Sequence, residues 1–257
     1  MATAQDIVDL DAQAHEILKR AGNGSLEVAD IRRGFQLIIE KRLGEPSPVG
    51  LAVSQFTPQM EQVSNLLQWN EALSLGLSNA DIQNVPQAVL DFAWDKPLVS
   101  ITLCWTLGTL EETLNAKLAV LRHVYGEKKV IVSPDFKTDA KHTFLPDGAP
   151  EFVPNHIWWQ VIDLGANRKL SPDKVPAAVA AGVEVFDNAC QHKGHVKRHN
   201  GSDTPYWDVP GLRVKVPGES RLCAPYVSGY SDGYIRVGVR WADGGALSDY
   251  SVPVRES

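Results

Sequence analysis

The amino-acid sequence predicts an α+β or α/β protein, with a helical amino-terminal region followed by a mixed β/α region. Three patterns support this fold class. Residues 1–95 carry apolar side chains at helical spacing, and residues 98–132 read as strand, helix and strand. Residues 234–241 alternate between apolar and polar side chains with the period of a strand. We therefore expect a helical region at 1–95 and a mixed α/β domain at 96–257.

Helices are predicted throughout the first region. Apolar residues recur at helical spacing over 7–18 and 25–39, and a connector rich in proline and serine spans 44–57. Thr57 and Pro58 begin a third helix, because threonine is a good N-cap and proline suits a first helical turn. A shorter helical segment is expected from Asp81 to Phe92.

A strand, a helix and a second strand open the mixed region. The run from Leu98 to Trp105 is uncharged and rich in β-branched residues, as buried strands are. Thr109 and Glu112 form a capping box, and Gly126 ends the helix that follows them. Val130–Val132 then resumes a strand. This order predicts a βαβ unit with parallel pairing.

The carboxyl-terminal part is expected to contain one further helix and several strands. Ile157–Leu164 reads as a strand on which Trp158 and Trp159 face opposite sides, so that one ring packs in the core while the other packs in a second layer or lines a pocket. A helix is predicted from Ser171 through Ala189. An antiparallel β-meander is predicted from Tyr226 to Val254, with apolar side chains inward at Ile235, Val237, Val239 and Trp241.

Composition and charge exclude several classes of protein. The chain has 257 residues with 25 Lys and Arg against 31 Asp and Glu, a net charge of −6, so no overall basic field favours nucleic acid or anionic membrane. We expect a cytoplasmic protein without a membrane segment, because no apolar run is long enough and the amino terminus lacks a signal peptide. No phosphate-binding loop, dinucleotide fingerprint or nucleophile elbow occurs in the sequence.

The densest group of potential metal ligands is the run CQHKGHVKRHN. If the predicted helix continues this far, its histidines lie on one face and suit zinc together with the nearby thiolate. The residues concerned are Cys190, His192, His195 and His199. The alternative is a solvated basic helix end, since lysines and an arginine separate the histidines and no glutamate lies between His195 and His199. We predict no cofactor, with zinc as the alternative.

A second group lies in the loop after Val132. Asp135, Asp139 and His142 are spaced so that they can bind a divalent cation or share acid and base roles. Ordinary loop polarity explains the same residues, because lysines are interleaved with the acids. The corresponding function is a metal-dependent enzyme, most simply a hydrolase, and it is the alternative to our leading hypothesis.

The leading hypothesis is a non-catalytic binding or assembly protein that uses a Tyr/Arg-rich sheet face. Strand alternation places arginine and tyrosine side chains outside the core, where they suit protein interfaces. The predicted contact residues are Arg213, Lys215, Tyr234, Arg236 and Arg240. The expected partner is another protein or a second copy of this chain. Nucleic acid is the alternative partner, since arginines beside aromatic rings also stack on bases.

Three stretches resemble sequences of known proteins: NHIWWQVIDLGANR, DVPGLRVKVPG and RVGVRWADGGALSDYSVPVRES. They are similar to stretches in uncharacterised short proteins of candidate-phylum bacteria. The resemblance spans roughly the last hundred residues and contains no catalytic motif. It implies a bacterial source and assigns no activity.

Overall fold

In a computed structural model of the chain, the described residues are 58–92, 99–165, 170–192, 206–229, 233–244 and 250–256. By its contacts the chain divides into two units, Met1–Phe56 and Thr57–Ser257, and every described residue lies in the second. The helices predicted over 7–18 and 25–39 and the connector at 44–57 lie outside the described residues.

Helices and strands both occur in the second unit, which confirms the α+β class. The α-helices are α1 (Pro58–Leu73), α2 (Asn79–Gln83), α3 (Gln87–Leu90), α4 (Leu110–Tyr125) and α5 (Glu184–Gln191). The strands are β1 (Val99–Trp105), β2 (Val130–Val132), β3 (Thr143–Phe144), β4 (Ile157–Asp163), β5 (Tyr206–Asp208), β6 (Arg213–Val214), β7 (Cys223–Gly229), β8 (Ile235–Trp241), β9 (Tyr250–Ser251) and β10 (Val254–Glu256).

Local signals determine where α4 begins and ends. The Thr109 hydroxyl accepts a hydrogen bond from the Glu112 amide at 3.1 Å and donates one to the Glu112 carboxylate at 3.0 Å. Gly126 follows the helix with a φ of +99°, a conformation that residues with a side chain rarely adopt. The predicted cap and the predicted helix end are both confirmed.

β1, β4 and β10 form an antiparallel sheet in the order β1-β4-β10, and side chains cover the outer edge of β1. Gln62 of α1 donates to the Ile101 carbonyl at 3.1 Å and accepts from the Leu103 amide at 3.1 Å. Gln191 of α5 donates to the Leu103 carbonyl at 2.6 Å and also accepts from its amide at 3.0 Å. These two glutamines take the place of a neighbouring strand, which protects an edge that other chains could pair with.

The second sheet has the order β2-β8-β7-β5-β9, with β6 paired to β7 and β3 paired to β6. β7 and β8 pair antiparallel over seven residues, as predicted. Ile235 and Val237 are buried while Arg236 is exposed, which confirms the alternation in this part of β8.

Trp241 is 45% exposed, so its predicted inward position is wrong. The Arg221 guanidinium lies 3.5 Å from the centre of the Trp241 ring and holds it at the surface.

The predicted parallel pairing of a βαβ unit is wrong. β1 and β2 belong to different sheets, and β2 pairs in parallel with β8. β1 has no edge left for β2, because β4 occupies one side and the glutamines of α1 and α5 occupy the other.

Two further predictions need correction. The helix expected from Ser171 through Ala189 is a 3₁₀ turn at Pro172–Lys174 followed by α5, which begins only at Glu184. Val175 precedes Pro176 and is extended, with φ −92° and ψ 129°, because proline disfavours a helical conformation in the residue before it. The antiparallel meander ends with β8, since β9 pairs in parallel with β5 and β10 joins β4 in the other sheet.

Candidate functional site

None of the described strands lies beside half of the outer edge of β4. β1 pairs with all seven residues of β4, whereas β10 pairs only with residues 161–163. The backbone amide and carbonyl of Leu103 bind glutamine side chains and so point away from β4. Leu103 and Trp159 are therefore a pair without hydrogen bonds between them, and the backbone amide and carbonyl of Trp159 point away from β1. Ile157, two residues earlier, has the same orientation. No described residue forms a hydrogen bond with the backbone of Ile157 or Trp159 on this side, which leaves an open strand edge.

A first cavity of about 310 Å³ lies on the face of β4 that carries Trp158 and Gln160. The His156 and Trp158 rings stack beside it, with centroids 5.2 Å apart and planes inclined by 10°. Apolar side chains form much of the remaining wall, among them Leu145, Phe152, Val153 and Val183. Thr106, Glu151, Glu184 and Arg255 add polar groups to the same wall. An apolar cavity with a few polar groups is the usual form of a binding site.

Arg255 brings a positively charged donor to the first cavity. Its Nε donates to Glu184 Oε1 at 2.7 Å, and Glu184 Oε2 accepts from the Gly182 amide at 2.8 Å. Both carboxylate oxygens are therefore in use. Arg255 Nη1 is buried and has no hydrogen-bond partner among the described residues. A buried donor without a partner is costly, so a ligand acceptor gains a hydrogen bond there once the guanidinium turns toward the cavity.

A second cavity of about 540 Å³ borders Ile157 and Trp159, whose side chains lie on the opposite face of β4, and it shares His156 and Trp158 with the first cavity. Residues of α2, α3 and the adjoining turns complete its lining. The wall residues include Asp81, Asn84, Pro86, Val89 and Asn155. Asp81 is exposed, and Trp159 Nε1 is buried without a hydrogen-bond partner among the described residues. A carboxylate beside an indole ring suits a cationic side chain.

α5 fixes the position of Glu184 through a polar stripe that is packed against β1. The stripe consists of Glu184, Asp187, Asn188 and Gln191, spaced so that they share one helix face. Asn188 donates to the hydroxyls of Ser100 at 2.5 Å and Thr102 at 2.9 Å, and all three side chains are buried. A helix held by this many specific hydrogen bonds has little freedom to rotate, so the Glu184 carboxylate stays at the first cavity.

The stripe also contains a buried ion pair. Lys117 Nζ lies 2.6 Å from both oxygens of Asp187 and 4.0 Å from the centre of the Trp105 ring. Burial raises the pKa of Asp187 to about 7, although Lys117 opposes this rise. Burial and the nearby Asp187 charge raise the pKa of the Cys104 thiol, which disfavours a reactive thiolate. These groups stabilise the fold behind the cavity.

Asp139 and His142 form a pair, but Asp135 is not part of it. His142 Nδ1 lies 2.8 Å from Asp139 Oδ1, and this hydrogen bond lowers the pKa of Asp139. Asp135 is exposed, and its amide donates to the Ser133 hydroxyl at 3.3 Å. Within the described ranges, no three His, Cys, Asp or Glu side chains lie close enough together to hold a metal ion. None of the three predicted residues lines either cavity beside β4.

The predicted array of histidines on one helix face requires a longer helix than the chain forms. α5 ends at Gln191, and His192 has left the helix with φ −116° and ψ 62°. His192 Nε2 lies 3.2 Å from the Ile101 carbonyl oxygen, and Cys190 is buried. His195 and His199 lie outside the described residues. The helical spacing argument for zinc is therefore wrong at His192, and the metal-dependent enzyme stays a prediction.

The structure divides the predicted Tyr/Arg face into exposed and buried members. Lys215, Tyr234 and Arg236 are exposed, as expected. Arg213 is only 8% exposed, so its predicted outward position is wrong. Its guanidinium donates to the carbonyls of Pro210 and Leu212 at 2.6 and 2.9 Å, which places it inside the fold.

Arg240 compensates a buried charge. Its Nε donates to Asp208 Oδ1 at 2.7 Å, and its Nη2 bonds the second oxygen of the same carboxylate. The Asp208 side chain has no exposed surface, and burial raises its pKa to about 6 although Arg240 lowers it. The Arg240 guanidinium is therefore largely committed to a partner within this sheet.

Sequence reasoning identified one part of the site and missed the rest. The adjacent tryptophans were predicted to face opposite sides of a strand; Trp159 lines the second cavity only, whereas Trp158 lines the first and also borders the second. Glu184 and Arg255 were missed, because they lie 71 residues apart and belong to no local motif. The polar stripe of α5 was a usable signal, since four polar residues on one face of a short helix require partners.

No family model, curated protein or solved structure matches the chain. Among the described helices, none has the length and apolar character needed to cross a bilayer.

Proposed function

We propose that this protein is a non-catalytic binding protein that takes up an extended polypeptide segment by strand addition at the open edge of β4. The observation that supports it is the open backbone edge of Ile157 and Trp159 between two cavities on opposite faces of the strand. In this mode of recognition, hydrogen bonds of the main chain provide affinity and pockets for alternate side chains provide specificity.

The backbone geometry suits such a segment. β10 already pairs with residues 161–163 of β4, and an added strand would continue along the same side past Trp159 and Ile157. Two residues of the added strand can satisfy the amides and carbonyls of both positions, because opposed residues of an antiparallel ladder exchange two hydrogen bonds. The successive side chains of that strand then point alternately into the two cavities.

The charged groups at the first cavity are fixed in place. Arg255 and the Gly182 amide each donate to one oxygen of Glu184, which makes this carboxylate part of a preformed wall. The proposal keeps the partner class expected from the sequence, another protein, but it places the contact at β4. Arg213 and Arg240 of the Tyr/Arg face bind groups inside the fold and contribute less to a surface.

A library of random heptapeptides displayed on phage, selected on the purified chain, tests the proposal. A selected peptide is then synthesised in two forms, with N-methyl groups on either its odd or its even backbone amides. Strand addition uses the amides on one side only, so we expect one form to lose binding and the other to retain it. Failure to select any peptide, or equal loss of binding in both forms, contradicts the proposal.

A pair of tryptophan variants locates the contact. Trp158→Ala removes the ring that stacks on His156 at the first cavity, and we expect at least about tenfold weaker binding of the selected peptide, or roughly 1.4 kcal/mol. Trp241→Ala is the matched control, because Trp241 is also partly exposed but lies on the other sheet. Equal effects of the two substitutions would place the peptide elsewhere.

A further inference from the structure

We infer that the bound segment carries one tyrosine and one basic side chain separated by an odd number of positions, with the tyrosine in the first cavity and the basic group in the second. This inference rests on the proposed function and names the class of peptide that the site selects.

The first cavity fits a ring that carries a neutral acceptor. Its wall is largely apolar, and the stacked His156 and Trp158 rings offer an aromatic surface beside it. Arg255 Nη1 is a buried donor without a described partner, and a tyrosine hydroxyl oxygen can accept from it once the guanidinium turns toward the cavity. A carboxylate suits this cavity less, because Glu151 and Glu184 lie in the same wall and Glu184 already balances the charge of Arg255.

The second cavity fits a cation. Asp81 contributes a carboxylate, and Trp159 contributes an indole ring to the same wall. The described lining contains no lysine or arginine, so neither of these residue types repels a cationic side chain there. Carbonyl and amide oxygens of Asn84 and Asn155 can accept further hydrogen bonds from an ammonium or guanidinium group.

The alternation of a strand links the two preferences. Neighbouring residues of an extended segment point to opposite faces, and residues two apart point to the same face. Because the first cavity lies on the Trp158 face of β4 and the second borders Ile157 and Trp159 on the other face, a lysine and a tyrosine reach their own cavities when they are an odd number of positions apart. The same two residues placed two positions apart compete for one cavity.

Two fluorescent heptapeptides of identical composition test this inference. Both contain one lysine and one tyrosine among threonine and serine, either adjacent in the chain or two positions apart. We expect the adjacent form to bind at least about tenfold more tightly by fluorescence anisotropy. Replacing its tyrosine by phenylalanine removes the acceptor for Arg255, and we expect this change to weaken binding severalfold.

A matched pair of protein variants assigns the basic group. Asp81→Asn is expected to weaken the adjacent lysine peptide several-fold and to leave its norleucine counterpart unchanged. Glu111→Gln is the control, because Glu111 is also an exposed carboxylate in the first turn of a helix but lines neither cavity.

The outcomes separate this inference from the proposed function. Equal affinity of the two spacings, or an Asp81→Asn effect no larger than that of Glu111→Gln, overturns the inference. Selected peptides that bind with the one-sided N-methyl pattern but lack this residue pair overturn it too, while strand addition itself still holds. If no peptide binds at all, both fail.

Discussion

The buried ion pair between Lys117 and Asp187 predicts a large and specific loss of stability when its cation is removed. The two side chains are only 1% and 2% exposed, and Nζ lies 2.6 Å from the carboxylate. Lys117→Met leaves the Asp187 charge in the core with the Trp105 amide as a remaining donor. Breaking a buried pair on one side costs about 3–5 kcal/mol, a large share of the roughly 5–15 kcal/mol by which domains are stable.

The double variant and the pH dependence make the prediction specific. Lys117→Met combined with Asp187→Leu removes both charges, and apolar replacement of a whole buried pair is often neutral or stabilising. We therefore expect the double variant to recover most of the loss. Burial already raises the pKa of Asp187 to about 7, and loss of Lys117 raises this pKa further. At pH 5 the Asp187 carboxyl is protonated in the variant, so no unpaired charge remains in the core. The loss in free energy of unfolding caused by Lys117→Met is therefore smaller at pH 5 than at pH 8.

Urea unfolding followed by tryptophan fluorescence measures these free energies. Lys128→Met is the control, because Lys128 is exposed and we expect its substitution to change stability by no more than about 0.5 kcal/mol. A Lys117→Met variant within about 1 kcal/mol of the unmodified chain would refute the reasoning, since that result means the carboxylate is hydrated. A double variant no more stable than Lys117→Met would refute it as well.

Three further predictions concern the second sheet. Gly238→Ala places a Cβ 2.6 Å from the Tyr226 ring, and we expect thermal or urea unfolding to show a loss of about 1–3 kcal/mol that Tyr226→Leu partly relieves. Arg240→Met leaves the buried Asp208 carboxylate without its cation, and we expect a loss of about 3–5 kcal/mol at pH 7; a loss below about 1 kcal/mol would contradict this. The raised pKa of Asp208, about 6 against an ordinary 3.8, means that the folded chain holds this proton more tightly. The contribution of Asp208 to the free energy of unfolding therefore falls as the pH rises between these two values. In urea titrations across that range, we expect the free energy of unfolding to fall less in Asp208→Asn than in the unmodified chain.

Local features of the fold could be predicted from the sequence because short-range chemistry determines them. The cap at Thr109 and the glycine stop at Gly126 depend on residues a few positions apart, and both predictions are confirmed. Strand pairing depends on which edges the rest of the chain leaves open. The side chains of Gln62 and Gln191 occupy the edge of β1 that a βαβ unit needs, and no pattern near residue 100 indicates this.

Alternation along a strand shows which side chains share a face but does not show which face is covered. Arg213 follows the predicted alternation, yet the surrounding fold encloses it and supplies carbonyl partners. The same limit applies to the site. Trp158 and Trp159 were expected on opposite faces, whereas the pairing of Glu184 with Arg255 arises only when α5 and β10 meet.

Amide hydrogen exchange at β4, with and without a selected peptide, tests strand addition most directly. The amides of Ile157 and Trp159 face the open edge, while those of Trp158 and Gln160 face β1. We predict that peptide binding slows exchange at Ile157 and Trp159 and changes Trp158 and Gln160 little. Uniform slowing along the strand, or no slowing at Ile157 and Trp159, would show that the peptide does not bind as an added strand.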